Sequence, residues 1–208
     1  MTDSPHERAT TRSPHPLTRS LVERLRGRPA CRILDFATGS GRNADALRRA
    51  GHDVVAIRDG VAAGSDALPA SLGAFSAALS THGLLHGTRA AIATQLAAIA
   101  ARLEPDGALY ATFGSVRDAR YGCGGRLAPS TFVPLDGDEA GVAHTYFTRA
   151  ELAALLHPHF TIEQIEEREV DAIAGGWAHP TQRLTGAVHW FVVARASMRS
   201  SSGLDAFA

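Results

Sequence analysis

The run Ile33-Leu34-Asp35-Phe36-Ala37-Thr38-Gly39-Ser40-Gly41-Arg42-Asn43 carries the clearest chemistry in the chain. Glycines between a strand and a helix let the backbone approach a ligand closely, and a helix N-terminus offers free amides to polar groups. Gly39-x-Gly41-x-x-Ala44 also satisfies the loose dinucleotide fingerprint, a weak signal when it stands alone. Asp35 narrows the choice. A carboxylate at the end of the strand repels a pyrophosphate but suits a ligand that is cationic and free of phosphate.

The second set of reactive residues is histidine-rich. His82 and His86 follow the apolar run Phe75 to Ser80, where a general base is useful to an acceptor that must lose a proton. The competing reading of each is a hydrogen-bonded loop histidine. His144 and Tyr146 end a long glycine-bearing connection that Arg117, Asp118, Arg120 and Tyr121 begin, and they are expected to close over a substrate. A solvated loop with local salt bridges is the alternative. His157-Pro158-His159 has a superficial metal-ligand look, but the proline forces an extended turn far in sequence from other ligands, so no metal site is expected. Trp177, His179, His189 and Trp190 read as sheet-edge or core residues, with aromatic walls that attract a cationic ligand as the alternative.

These residues need a scaffold of alternating strands and helices, the pattern of an α/β protein with a largely parallel sheet. Leu17, Leu21 and Leu25 predict an amphipathic helix ending near Gly27, and Arg32 to Phe36 a buried first strand. A helix from Asn43 to Ala50 stops at Gly51, and a strand from Asp53 to Ile57 follows. Phe75 to Ser80 predicts a buried strand, Thr88 to Leu103 a helix, Glu104-Pro105-Asp106-Gly107 a turn and Ala108 to Phe113 a strand. Thr148 caps a helix to Leu156, and Thr161 to Glu166 and Ala187 to Ala194 are the last two strands. Ile57 and Phe75 stand too close for a helix, a third strand and a second connecting helix, so the sheet is expected to be truncated there.

Bulk properties restrict the partners. Lys+Arg and Asp+Glu both number 21 in 208 residues, so no strong net field draws the chain to nucleic acid or to an anionic membrane. A small molecule is the expected partner. Cys31 and Cys123 stand far apart, which argues against a disulfide framework and suits a reducing cytoplasm. Residues 1–16 are polar with no apolar h-region, and no run of ~18 uncharged apolar residues occurs, so a chain neither secreted nor membrane-inserted is expected. Residues 1–15 and 197–208, polar and without apolar period, are expected to be disordered tails around one domain, 16–196.

S-adenosylmethionine carries an ammonium and a sulfonium and no phosphate, so it matches an acid beside a glycine turn better than NAD does. Leu34-Asp35 followed by Gly39-x-Gly41-Arg42 resembles motif I of the class I S-adenosylmethionine-dependent methyltransferases. Asp66-Ala67-Leu68-Pro69, the strand Phe75 to Ser80, Leu84-Leu85-His86 and Leu103-x-Pro105-x-Gly107-x-Leu109 are similar to later segments of that family, in its order. Phe147 to Glu167 and Trp190 to Ala194 resemble its last helix and closing antiparallel hairpin. Small-molecule methyltransferases of the tellurite-resistance type are the nearest branch.

The resemblance implies a Rossmann-like sheet, mostly parallel with an antiparallel C-terminal strand and shortened around the third strand, and S-adenosylmethionine as cofactor. It implies cofactor contacts from Asp35, Ala37, Thr38, Gly39, Ser40, Gly41 and Asn43, from Asp59 and Asp66 on the ribose and adenine side, and from Ser80 and Thr81. Asp35 either orders the turn or receives the ammonium. Ala37 replaces the first glycine of the common pattern and keeps the turn provided its φ stays negative. A non-catalytic cofactor-binding module and a nicotinamide-dependent oxidoreductase are the alternatives.

Overall fold

Leu17, Leu21 and Leu25 form the buried stripe of helix α1 (Pro16–Leu25) in the computed structural model, which describes residues 13–58, 68–137, 139–170 and 185–197. Pro16 opens the helix, where its missing N–H costs nothing. His15 caps it: Nδ1 of the imidazole accepts the Leu17 N–H at 3.1 Å. The polar sequence assigns His15 to a disordered tail, yet it is 1% exposed. Ser197, also assigned to a tail, donates its N–H to the His159 carbonyl at 2.9 Å. The remaining tail residues, 1–12 and 198–208, lie outside the described residues.

Strands β1 (Arg32–Phe36), β2 (Asp53–Ile57), β3 (Phe75–Ser80) and β4 (Leu103–Ser115) pair in parallel in the order β2-β1-β3-β4. Helix α2 (Arg42–Arg49) connects β1 to β2, and α3 (Arg89–Ala100) connects β3 to β4. Beyond them come β5 (Gly125–Ala128), β6 (Thr131–Val133), β7 (His144–Phe147), α4 (Arg149–Leu156), β8 (Phe160–Glu169) and β9 (Val188–Ala196). Strand β9 runs antiparallel to β4 and β8 antiparallel to β9, so the C-terminal hairpin closes the sheet. Thr148 caps α4 through a capping box with Glu151.

Both faces of the sheet are covered, which is why the strand sequences read as nearly continuous apolar runs. Leu34, Phe36, Leu109 and Phe113 pack with Ile92, Leu96 and Ile99 of α3 and Leu152 and Leu156 of α4. Ile33, Leu79, Tyr110 and Val193 pack on the other face with the leucines of α1 and with Ala44 and Leu47 of α2. Each fully buried leucine contributes roughly 1.5–3 kcal/mol, so the two layers hold the strand ends that carry the site. No helix among the described residues is long and apolar enough to cross a membrane.

Three local features differ from the sequence expectation or extend it. The Glu104–Gly107 turn lies inside β4: Phe75 pairs with Leu103 and Ala77 with Ala108, so the four residues bulge out and Asp106 takes φ 60°. The connection from Gly114 to Tyr146 is a meander in which β5 pairs with β6 and β6 with β7, and β7 pairs in parallel with the end of β4. Among the described residues no strand lies beyond β2, in keeping with a sheet shortened at its third strand. Asp59 and Asp66 fall in 59–67, outside the described residues.

Candidate functional site

A cavity of about 300 Å³ opens where the carboxyl ends of β1, β2 and β3 meet the start of β9. Open α/β sheets place ligands there, because connections diverging from adjacent strands leave a crevice. One wall is the turn after β1, with Ala37, Thr38, Gly39, Ser40, Arg42 and Asn43. Thr81, His82 and Gly83 follow β3 into the base, and His86, Arg120, Glu139 and His144 line the far side.

The turn is held from beneath. Asp35 is 1% exposed and does not line the cavity; its carboxylate accepts the Thr38 hydroxyl at 2.6 Å. Burial raises the Asp35 pKa, while hydrogen bonds from Thr38 and the Ala44 backbone oppose the rise. Of the two roles left open by the sequence, ordering the turn is the one its contacts perform. The Thr38 N–H donates to the Ile57 carbonyl at 2.9 Å, and Arg58 donates to the Gly39 carbonyl at 3.2 Å, tying the turn to β2. A Cβ built on Gly39 or on Gly41 meets no atom within 4 Å, so this backbone borders open space a ligand can fill.

Asn43 joins three elements. Its side-chain oxygen accepts the His15 N–H at 3.0 Å and the Thr18 hydroxyl at 2.9 Å, and its amide nitrogen donates to the Thr81 hydroxyl at 2.8 Å. The start of α1, the first turn of α2 and the end of β3 are therefore tied together by hydrogen bonds through one side chain. Ser80 is fully buried and is not part of the cavity wall.

Ala37 corrects the sequence reading: its φ is +57°, not negative. A left-handed alanine costs about 1–2 kcal/mol, and the neighbouring backbone holds it there. Gly83 is the residue that makes room, since a Cβ on it falls 2.3 Å from the Ala37 Cβ and 2.8 Å from the Ser80 hydroxyl. Ala37→Gly is expected to stabilise the fold by about 0.5–1 kcal/mol, the left-handed cost relieved less the ~0.4–1 kcal/mol of added unfolded-state entropy. Denaturant unfolding checks this. A loss of stability contradicts the strained turn.

The four residues expected to act on substrate separate in space. His82, itself at φ 71°, is fully buried, and its ring lies 5.7 Å from that of His15 and 5.4 Å from that of His189. Burial, then the neighbouring His189 and His15, pushes the His82 pKa well below the ordinary imidazole value. Its imidazole is thus neutral near pH 7, and its basicity is weakened. His86 and His144 stand together across the cavity with Glu139 between them, at 3.4 and 3.0 Å. Tyr146 is 3% exposed and packs against Tyr121 and Phe132 rather than lining the cavity; burial raises its pKa.

Three residues of the site escape sequence reasoning or take another role in it. Glu139 sits in the polar stretch Asp136 to Gly141, which reads only as a turn. Its meaning depends on β7 bringing His144 beside His86. Gly83 carries no signal because its constraint is a contact with Ala37. His189, which reads as a core residue, is buried and also borders the cavity. Trp177 and His179 lie outside the described residues.

No family profile and no curated protein matches the sequence. The fold does match solved structures. The 1,6-didemethyltoxoflavin-N1-methyltransferase of Burkholderia thailandensis, bound to 1,6-didemethyltoxoflavin and S-adenosylhomocysteine, is 24% identical, with TM-score 0.60 over 88% of this chain and 77% of that one. The CcbJ methyltransferase of Streptomyces caelestis is 14% identical, with TM-score 0.58 over 89% and 97%. TehB of Haemophilus influenzae is 13% identical, with TM-score 0.54 over 85% and 61%. The chain has the Rossmann-like fold of the S-adenosylmethionine-dependent methyltransferases.

Proposed function

We propose that the protein transfers a methyl group from S-adenosylmethionine to a small-molecule acceptor. The observation that carries this reading is a shared cavity, bounded on one side by the Asp35-braced glycine turn and on the other by polar side chains of the β4–β7 connection. The turn, through Gly39 and the amides that open α2, holds the methionine and ribose portion. Arg42, at the first position of α2 and on the cavity wall, supplies a cation for the methionine carboxylate. The neutral imidazole of His82 adds no positive charge where a sulfonium must sit.

Methyl transfer is an in-line displacement, so this chain has mainly to orient the acceptor and exclude water. The balanced charge and the small-molecule substrate in the Burkholderia structure support a small-molecule acceptor. A cytoplasmic location fits the cysteine usage. The test supplies S-adenosylmethionine labelled in its methyl group with a panel of small hydroxyl, amine and thiol compounds. Label in an acceptor with equimolar S-adenosylhomocysteine supports transfer. Tight cofactor binding with no label moved to any of them supports the non-catalytic binding module instead.

A further inference from the structure

His86 and His144 come from separate parts of the chain, yet their backbones are fixed to one another. The two residues form an antiparallel bridge, the Gly87 N–H donates to the Ala143 carbonyl at 2.7 Å, and the Thr145 hydroxyl donates to the Gly87 carbonyl at 2.6 Å. The rings stand 4.8 Å apart with planes at 84°. Glu139 reaches between them, with Oε1 3.4 Å from His86 Nε2 and Oε2 3.0 Å from His144 Nε2. One donor atom from each of the three falls within 4.8 Å of the others.

The tautomer of His144 gives this cluster its direction. Nδ1 lies 2.8 Å from the Val142 carbonyl, which can only accept, so Nδ1 carries the hydrogen. In the neutral ring Nε2 then presents a lone pair to the Glu139 carboxylate, 3.0 Å away. Two electron-rich atoms at that distance favour a positive species shared between them, a proton or a metal ion. A histidine anchored by its other nitrogen to a backbone carbonyl is the arrangement that orients metal ligands.

Among the described residues, Arg120 points mainly at another carboxylate. Arg120 approaches Glu139 only at 4.0 Å, because Asp118 holds it through Nε at 2.9 Å and Nη2 at 3.0 Å. Around a metal with ~2.0 Å bonds, tetrahedral ligands stand about 3.3 Å apart. The two contacts of Glu139 are already near that value. The His86 side chain is 39% exposed, which leaves it room to rotate toward the other two donors.

We propose that His86, Glu139 and His144 form a binding site for a divalent transition metal ion of the zinc type, with its open coordination position facing the cavity. Two imidazoles and one carboxylate are the donor set that zinc and its first-row neighbours select over magnesium or calcium. Three protein ligands leave a position for an oxygen or sulfur of the acceptor, and this role in acceptor binding rests on the methyl-transfer reading above.

The test uses the full chain after chelation and dialysis, titrated with zinc sulfate by calorimetry against a magnesium control, with S-adenosylhomocysteine affinity measured on the same samples. One zinc per chain is expected, with Glu139→Gln and His144→Ala each weakening it by at least roughly 10–100-fold. The surface variant His157→Ala/His159→Ala is expected to bind zinc as the wild type does. Zinc binding absent, or undiminished in Glu139→Gln and His144→Ala but lost in the surface variant, overturns the proposal. Zinc bound as expected with no affinity for S-adenosylhomocysteine leaves the metal site standing and removes the methyl-transfer reading; the reverse result removes only the metal.

Discussion

Lowering the pH from 7 to about 4.5 is expected to unfold the protein, because His15, His82 and His189 are buried in their neutral forms. Burial, aided by the Arg42 charge, pushes the His15 pKa from 6.5 to about 3. Burial likewise lowers His82, and it lowers His189 against the opposing pull of the Asp118 carboxylate. A depressed folded-state pKa means the unfolded chain binds more protons. The stability is therefore fully present above the unfolded value of about 6.5 and is lost as pH falls toward the folded values. Each group removes up to about 1.4 kcal/mol per pH unit in that window, so three remove up to about 4 kcal/mol per pH unit and about 8 kcal/mol over the roughly two units between 6.5 and 4.5, against a typical total of roughly 5–15. Asp35, with its raised pKa, works in the other direction, but it is one group. Protonation at Nδ1 also destroys the acceptor that caps α1. Denaturant midpoints between pH 7 and 4.5 measure the effect, and His15→Asn, which keeps a capping oxygen, should flatten the slope. A stability independent of pH across this range contradicts the buried neutral cluster.

Gly39→Val is expected to weaken S-adenosylhomocysteine binding more than 100-fold, since the valine side chain projects into space that the turn leaves open to a ligand. The glycine sits at φ 56°, and a Cβ there has no atom within 4 Å, so the protein itself offers the side chain no obstacle. Valine in the left-handed region costs about 1–2 kcal/mol of stability, and thermal unfolding must show that the variant is still folded. Gly39→Asn provides the second arm, because asparagine tolerates that backbone while still filling the space. Wild-type affinity in either folded variant removes the turn from the binding site.

The periodic parts of the fold are legible in the sequence because burial writes a direct pattern. The four-residue recurrence of leucines marks α1, and the apolar runs mark β1 and β3 to the residue. The glycine turn is legible for the same reason, its residues being local in sequence. What escapes depends on contacts between distant segments. The left-handed turn at Ala37 packs closely against Gly83, where any Cβ would clash with it, and the cap formed by His15 is secured by Asn43, 28 residues later. The meander of β5, β6 and β7 has short strands without sustained alternation, so its placement of Glu139 between His86 and His144 cannot be read from spacing. Tyr146 stands out in the sequence for its position after a long connection, and its side chain turns into an aromatic cluster instead.

The central claim is that the cavity beside the glycine turn binds S-adenosylmethionine. Calorimetric titration of the wild-type chain with S-adenosylhomocysteine, and in parallel with NAD, tests it most directly. The account predicts saturable one-to-one binding of S-adenosylhomocysteine and none of NAD, whose pyrophosphate has no place above the buried Asp35 carboxylate. Binding of NAD with no binding of S-adenosylhomocysteine contradicts it.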